Sequence, residues 1–159
     1  ENSVQKDYRM FTRQIMKLVA KDIEPVVRKM NKENKMNPVY QSNQDTEEFK
    51  STWAEVWAYL NVENHGQICF ENVLMVDLET GRLGLKTWTK RRRNFNTQDY
   101  KDYLSNVILV KDKGFSWCEN PLGIEKYVED VGVISAAEKE QKETARKVTE
   151  IIRDYLQNL

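Results

Sequence analysis

Apolar residues recur at two periods along this chain, and the two periods divide it into helical and extended segments. From residue 3 to 24, Tyr8, Phe11, Ile15, Leu18, Val19 and Ile23 return mostly every three or four positions, the mark of a helix with one buried stripe. Pro25 has no amide hydrogen and disfavours helical geometry at Glu24, so a break or kink is expected there. Val26, Val27 and Met30 continue the pattern as a short second piece, which NKENKMNP ends. Residues 38–44 read as a loop. Asp45 then reads as an N-cap, with Glu48 completing a capping box. Phe49, Trp53, Val56, Trp57 and Leu60 follow at helical spacing, which predicts a central helix with an aromatic face turned to the core.

The period changes after the turn at Asn61–Gly66. Ile68–Asp77 carries apolar residues on both alternating sets, which suits a strand covered on both sides. LETGR reads as a hairpin turn with Gly81 supplying positive φ. In Leu83–Lys90 the alternation sharpens: Leu83, Leu85, Thr87 and Thr89 against Gly84, Lys86, Trp88 and Lys90. Thr97 reads as the cap of a short helix over 98–104. Residues 106–111 and 115–118 read as a second, smaller hairpin around Asp112-Lys113-Gly114. Ile124–Asp130 reads as a short helix ended by Gly132. Ser135 and Glu138 read as a second capping box, opening a last helix packed mainly from Ala145 to Leu159.

These elements predict an α+β fold: long N- and C-terminal helices and an aromatic central helix, packed on a small antiparallel sheet of about four strands. The 159 residues read as a single domain, 1–159, long enough to bury a core without covalent staples. There are no repeats and no low-complexity tracts. No apolar run approaches the roughly 20 residues of a membrane span, and the N-terminal segment carries no signal-like apolar region. Two cysteines, Cys69 and Cys118, one histidine and no CxxC argue against a zinc site. Reduced cysteines point to a cytoplasmic compartment, with a Cys69–Cys118 disulfide as the alternative.

Net charge is zero, yet it is unevenly spread. Residues 1–37 carry +4, residues 38–80 carry −7, residues 81–113 carry +6 and residues 114–159 carry −3. Such neighbouring blocks either pair with each other or present one sign to a partner. The strongest candidate for chemistry is the row Lys86, Trp88, Lys90, Arg91, Arg92 and Arg93. On a strand, Lys86, Trp88 and Lys90 share a face at intervals of about 7 Å. Cations at that spacing neutralise successive phosphates of a single strand, and an aromatic ring between them offers a surface for a base. Arg9, Arg13, Lys17 and Lys21 form a secondary basic row at i, i+4 on the first helix.

Catalytic signatures are weak. GxGxxG, P-loop, GxSxG and HExxH patterns are absent from the sequence. Asp77, Glu79 and Lys86 lie where a restriction-type nuclease keeps its metal-binding acids and lysine. Gly84 stands where the acid of acid-x-Lys belongs. His65 sits in a turn without a nucleophile beside it. No catalytic residue, metal or cofactor is therefore assigned. The expectation is a non-enzymatic binding or assembly module using the basic, Trp-containing hairpin to contact single-stranded nucleic acid or an acidic protein surface. A metal-dependent nuclease on the same hairpin is one alternative. A structural subunit self-associating through its terminal helices is the other.

Overall fold

The computed structural model describes residues 3–30, 35–39, 51–62, 66–91, 96–106, 112–120 and 122–157, with backbone alone at 28, 30, 35–39, 51–62 and 66–69. The α+β class holds. Among the described residues the elements are α1 (Ser3–Met30), β1 (Lys35–Val39), β2 (Ser51–Val62), β3 (Gly66–Asp77), β4 (Arg82–Arg91), α2 (Thr97–Asn106), β5 (Ser116–Glu119), β6 (Leu122–Val133) and α3 (Glu138–Leu156). The strands form one antiparallel sheet in the order β1-β2-β3-β4-β6-β5. The two long terminal helices pack on one face of it and on each other.

The sheet is larger than the sequence suggested, because two expected helices are strands. Ser51–Leu60, the described part of the expected aromatic helix, belongs to β2, which pairs with β3 from Ser51↔Asp77 to Val62↔Gly66. Its Trp, Val, Tyr and Thr content favours extended backbone. Its apolar residues satisfy helical spacing and alternation alike. The long β3 decides between them, since its backbone groups need a partner along the whole edge. The Asp45–Glu48 capping box lies outside the described residues. Ile124–Asp130 is likewise strand, in β6, held between β4 and β5. Lys35–Val39, read partly as a helix stop, is strand β1. Of the expected second hairpin, 107–111 lie outside the described residues, and β5 pairs with β6.

Helix ends also differ from expectation. α1 runs through Pro25 to Met30. Ile23 and Val27, buried on either side of the exposed Pro25, anchor the chain against the core there. Burying each such side chain is worth about 1.5–3 kcal/mol, comparable to what a proline costs inside a helix. At α2 the cap is Asn96, whose Oδ1 accepts from the Asp99 amide at 2.8 Å. α3 begins at Glu138 behind Ala137 with no side-chain cap, and the Ser135 hydroxyl accepts from the Ala137 amide instead. Lys142, one turn on, bonds Glu138 and holds its carboxyl below the usual range.

The core lies between the helices and the sheet. α1 contributes Ile15, Met16, Val19, Ile23 and Val27; α3 contributes Val148, Ile152, Tyr155 and Leu156. Packing of α3 starts earlier than its apolar stripe implies. The buried Gln141 donates to Gln14 Oε1 at 2.7 Å and to the Ser135 carbonyl at 2.9 Å, joining α3 to α1. From the sheet come Phe70, Leu74, Val76, Leu83, Leu85, Ile124 and Val131, and from α2 Tyr100 and Leu104. Phe70 and Phe115 both meet the Tyr155 ring, at centroid distances of 5.1 and 5.5 Å. Two groups of polar side chains inside this core are paired. Asn72 Oδ1 accepts from Thr87 Oγ1 at 2.8 Å and from the Tyr155 hydroxyl at 2.6 Å. Thr89 Oγ1 accepts from the Tyr100 hydroxyl at 2.7 Å and the Ile124 amide at 3.1 Å.

Candidate binding face

β4 lies inside the sheet, and its alternation fixes what each side carries. Leu83, Leu85, Thr87 and Thr89 are buried on the helix side. Lys86, Trp88 and Lys90 share the other side, as their spacing predicts. The turn that sets this register is built as expected. Gly81 has φ 71°, its amide donates to the Asp77 carbonyl at 2.8 Å, and its own carbonyl accepts from the Ile134 amide at 2.7 Å. That last bond ties the hairpin to the chain leaving β6.

The side chains of this outer face form an alternating pattern of acids, cations and rings. In the register, Trp88 stands between Glu71 of β3 and Glu125 of β6, and Lys86 stands between Val73 and Tyr127. Lys86 Nζ lies 3.2 Å from Glu125 and 5.4 Å from the centre of the Trp88 ring, so one ammonium serves a carboxylate and a π-face. Lys90 Nζ lies 3.4 Å from Glu71, a carboxylate whose side chain is only 8% exposed. Arg91 hydrogen-bonds the Thr97 hydroxyl, and among the described residues no carboxylate pairs with it. By the alternation of β4, Arg91 belongs to the helix side, where it meets Thr97 at the start of α2. Arg92 and Arg93 lie outside the described residues. Trp88 is half-buried, neither a core residue nor a fully open ring.

The secondary basic row is less uniform than its spacing implied. Lys17 and Lys21 are exposed, whereas Arg9 and Arg13 are half-buried. Burial, and the like charge of Arg13 one turn away, make the Arg9 guanidinium less basic than usual. Among the described residues, Arg13 Nε is buried without a hydrogen-bond partner.

Three residues of the outer face escaped the sequence reading. Glu71 and Glu125 partner the two lysines, and Tyr127 lies opposite Lys86. With 124–130 read as a helix, neither Glu125 nor Tyr127 could be placed beside β4. The signal available was the Gly123 and Gly132 boundaries with a β-branched and aromatic content between them.

Of the candidate nuclease acids, Asp77 shapes the turn. Asp77 Oδ1 accepts from the Glu79 amide at 2.8 Å, an Asx turn that shapes the hairpin. Among the described residues no three His, Cys, Asp or Glu side chains group as a metal site. His65 lies outside the described residues. The disulfide alternative fails on topology. Cys69 is on β3 and Cys118 on β5, with β4 and β6 between, so about 14 Å of sheet separates them. A disulfide needs Cα atoms within about 7 Å. Cys118 is a free, half-buried thiol. Burial and the Glu125 carboxylate push its pKa up, with Lys86 opposing.

Among the described residues no helix is long and apolar enough to cross a membrane. Comparisons with protein-family models, curated proteins and solved structures found no match to this chain.

Proposed function

We propose that this chain is a non-enzymatic binding module working in a reducing, cytoplasmic setting. Its contact surface is the outer face of the sheet at Lys86, Trp88 and Lys90, and the reading from sequence adds the cations that follow, Arg91, Arg92 and Arg93. Its partner is a single-stranded nucleic acid. The observation that carries this reading is the grouping of Lys86, Trp88 and Lys90 on the sheet face opposite the helices. Both lysines are held in place by carboxylates, which reduces their net field but fixes their positions. Phosphate oxygens are stronger competitors for an ammonium in a half-exposed setting than water is.

Fluorescence anisotropy with labelled oligo-dT and oligo-rU tests it. With three to five phosphate contacts, affinity should fall about 20- to 100-fold between 50 and 200 mM salt. Absence of binding at 50 mM salt refutes the reading. Capture of an acidic peptide in place of the oligonucleotide replaces it with a protein partner. The nuclease alternative requires Mg²⁺- or Mn²⁺-dependent cutting that Asp77→Ala abolishes. The assembly alternative must use what α1 and α3 leave uncovered, chiefly Val4 and Met10, and it predicts a solution mass above the monomer.

A further inference from the structure

We infer that Tyr127 is the ring on which an unpaired base stacks, with Lys86 directly across the sheet taking the adjoining phosphate; this rests on reading the outer face as a single-strand binding surface. Two facts about Tyr127 lead there. Among the described residues it is one of five large apolar side chains left open, at 53% exposure, although it sits mid-strand in β6. Its ring also reaches over Gly84 of β4. A Cβ built at Gly84 would stand 2.8 Å from the Tyr127 hydroxyl and 3.2 Å from Cε2 and Cζ. The ring can lie down along the sheet only because position 84 has no side chain, an aromatic covering a strand glycine. A ring so placed rests one side on backbone and leaves the other outward.

Trp88 plays a different part. The Lys86 ammonium already lies over its ring. Trp88 thus anchors the cation, and Tyr127 offers the open π-face. Lys86 and Tyr127 are directly paired positions, with Cβ atoms about 4.5–5.5 Å apart. One nucleotide can therefore engage both, its base on the ring and its phosphate on the ammonium. Aromatic side chains on an open sheet face stack unpaired bases in this way, and every base has a π-face, so the contact tolerates any sequence. An acidic peptide would use the cations and gain nothing from the ring.

The test compares three polyanions on the full chain: oligo-dT, an abasic deoxyribose-phosphate oligomer of equal length and charge, and polyglutamate. The native chain should bind oligo-dT tightest. Tyr127→Leu should weaken oligo-dT binding roughly 5- to 100-fold, leave abasic binding unchanged and leave the salt dependence unchanged. Gly84→Ala keeps every charge and every ring but lifts Tyr127 off the sheet, and it should weaken oligo-dT binding in the same direction. Circular dichroism checks that both variants fold. Equal affinity of the native chain for oligo-dT and abasic oligomer, or unchanged oligo-dT binding by Tyr127→Leu, overturns the stacking inference and leaves the cationic surface standing. Preference for polyglutamate overturns it in favour of an acidic protein partner. Binding to none of the three overturns both this inference and the function on which it rests.

Discussion

Asn72 is the residue whose loss the fold should feel most sharply for its size. Its Oδ1 is the acceptor for two buried hydroxyls, Thr87 at 2.8 Å and Tyr155 at 2.6 Å, which come from a neighbouring strand and from the last helix. Asn72→Leu keeps the volume but removes that acceptor. Each hydroxyl then remains buried without it, at a cost of about 1–3 kcal/mol apiece, so the variant should lose roughly 2–6 kcal/mol. That is a large share of the 5–15 kcal/mol, roughly, that holds a domain of this size. Tyr155→Phe or Thr87→Val alone removes one donor and leaves Oδ1 bonded by the other, and should cost only about 1 kcal/mol. The triple variant Asn72→Leu, Thr87→Val, Tyr155→Phe should be more stable than Asn72→Leu alone by at least about 1 kcal/mol, because the stranded hydroxyls are gone. Urea unfolding followed by far-ultraviolet circular dichroism measures all four. A triple variant no more stable than Asn72→Leu, or an Asn72→Leu loss below about 1 kcal/mol, refutes the reasoning.

Three further outcomes are expected. Gly132 has φ 147° and a Cβ there would lie 2.3 Å from Thr144 Oγ1 on α3, so Gly132→Ala should cost about 2–4 kcal/mol in the same assay and more than Gly84→Ala, whose added methyl meets only a movable tyrosine. Lys90→Ala strips the ammonium from the nearly buried Glu71, while Lys86→Ala strips it only from the half-exposed Glu125; the first should destabilise by about 1–2 kcal/mol more than the second, read from their urea midpoints. Glu125→Gln removes a charge that pushes the Cys118 pKa up, so this thiol should react faster with iodoacetamide at pH 8, and Lys86→Ala should slow it.

The residues of β4 were legible in the sequence because one side of the strand is wholly buried, and burial writes a period of two into the chain. Leu83, Leu85, Thr87 and Thr89 therefore announced both the strand and the opposite-facing Lys86, Trp88 and Lys90. The terminal helices were legible for the same reason at a period near 3.6. β2 and β6 were not, because their apolar residues fit both periods, and a β-leaning composition is too weak to decide without the neighbouring strand. Losing β6 meant losing half of the candidate face, since Glu125 and Tyr127 reach Lys86 only across a strand pair remote in sequence. Caps were misplaced by a residue or two, as at Asn96 and Ala137, where several polar residues compete for the same amides.

The strand order also sets a sequence of events. β1 to β4 form an uninterrupted meander, each strand beside its predecessor, and β3 closes on β4 through the four residues from Leu78 to Gly81. β6 must instead return across the 30 residues between Arg91 and Leu122 before it meets β4. Closing the longer loop costs about 2 kcal/mol more in chain entropy, so the meander is expected to zip first and β6 to arrive afterwards. The cations of β4 are thus laid out early, while the tyrosine and the glutamate that complete them come last. A partly opened chain that lacks β6 already sets Lys90 against Glu71 and Lys86 over Trp88. Only the finished fold adds Glu125 and Tyr127 of β6, so the outer face of β4 is complete in the native state alone.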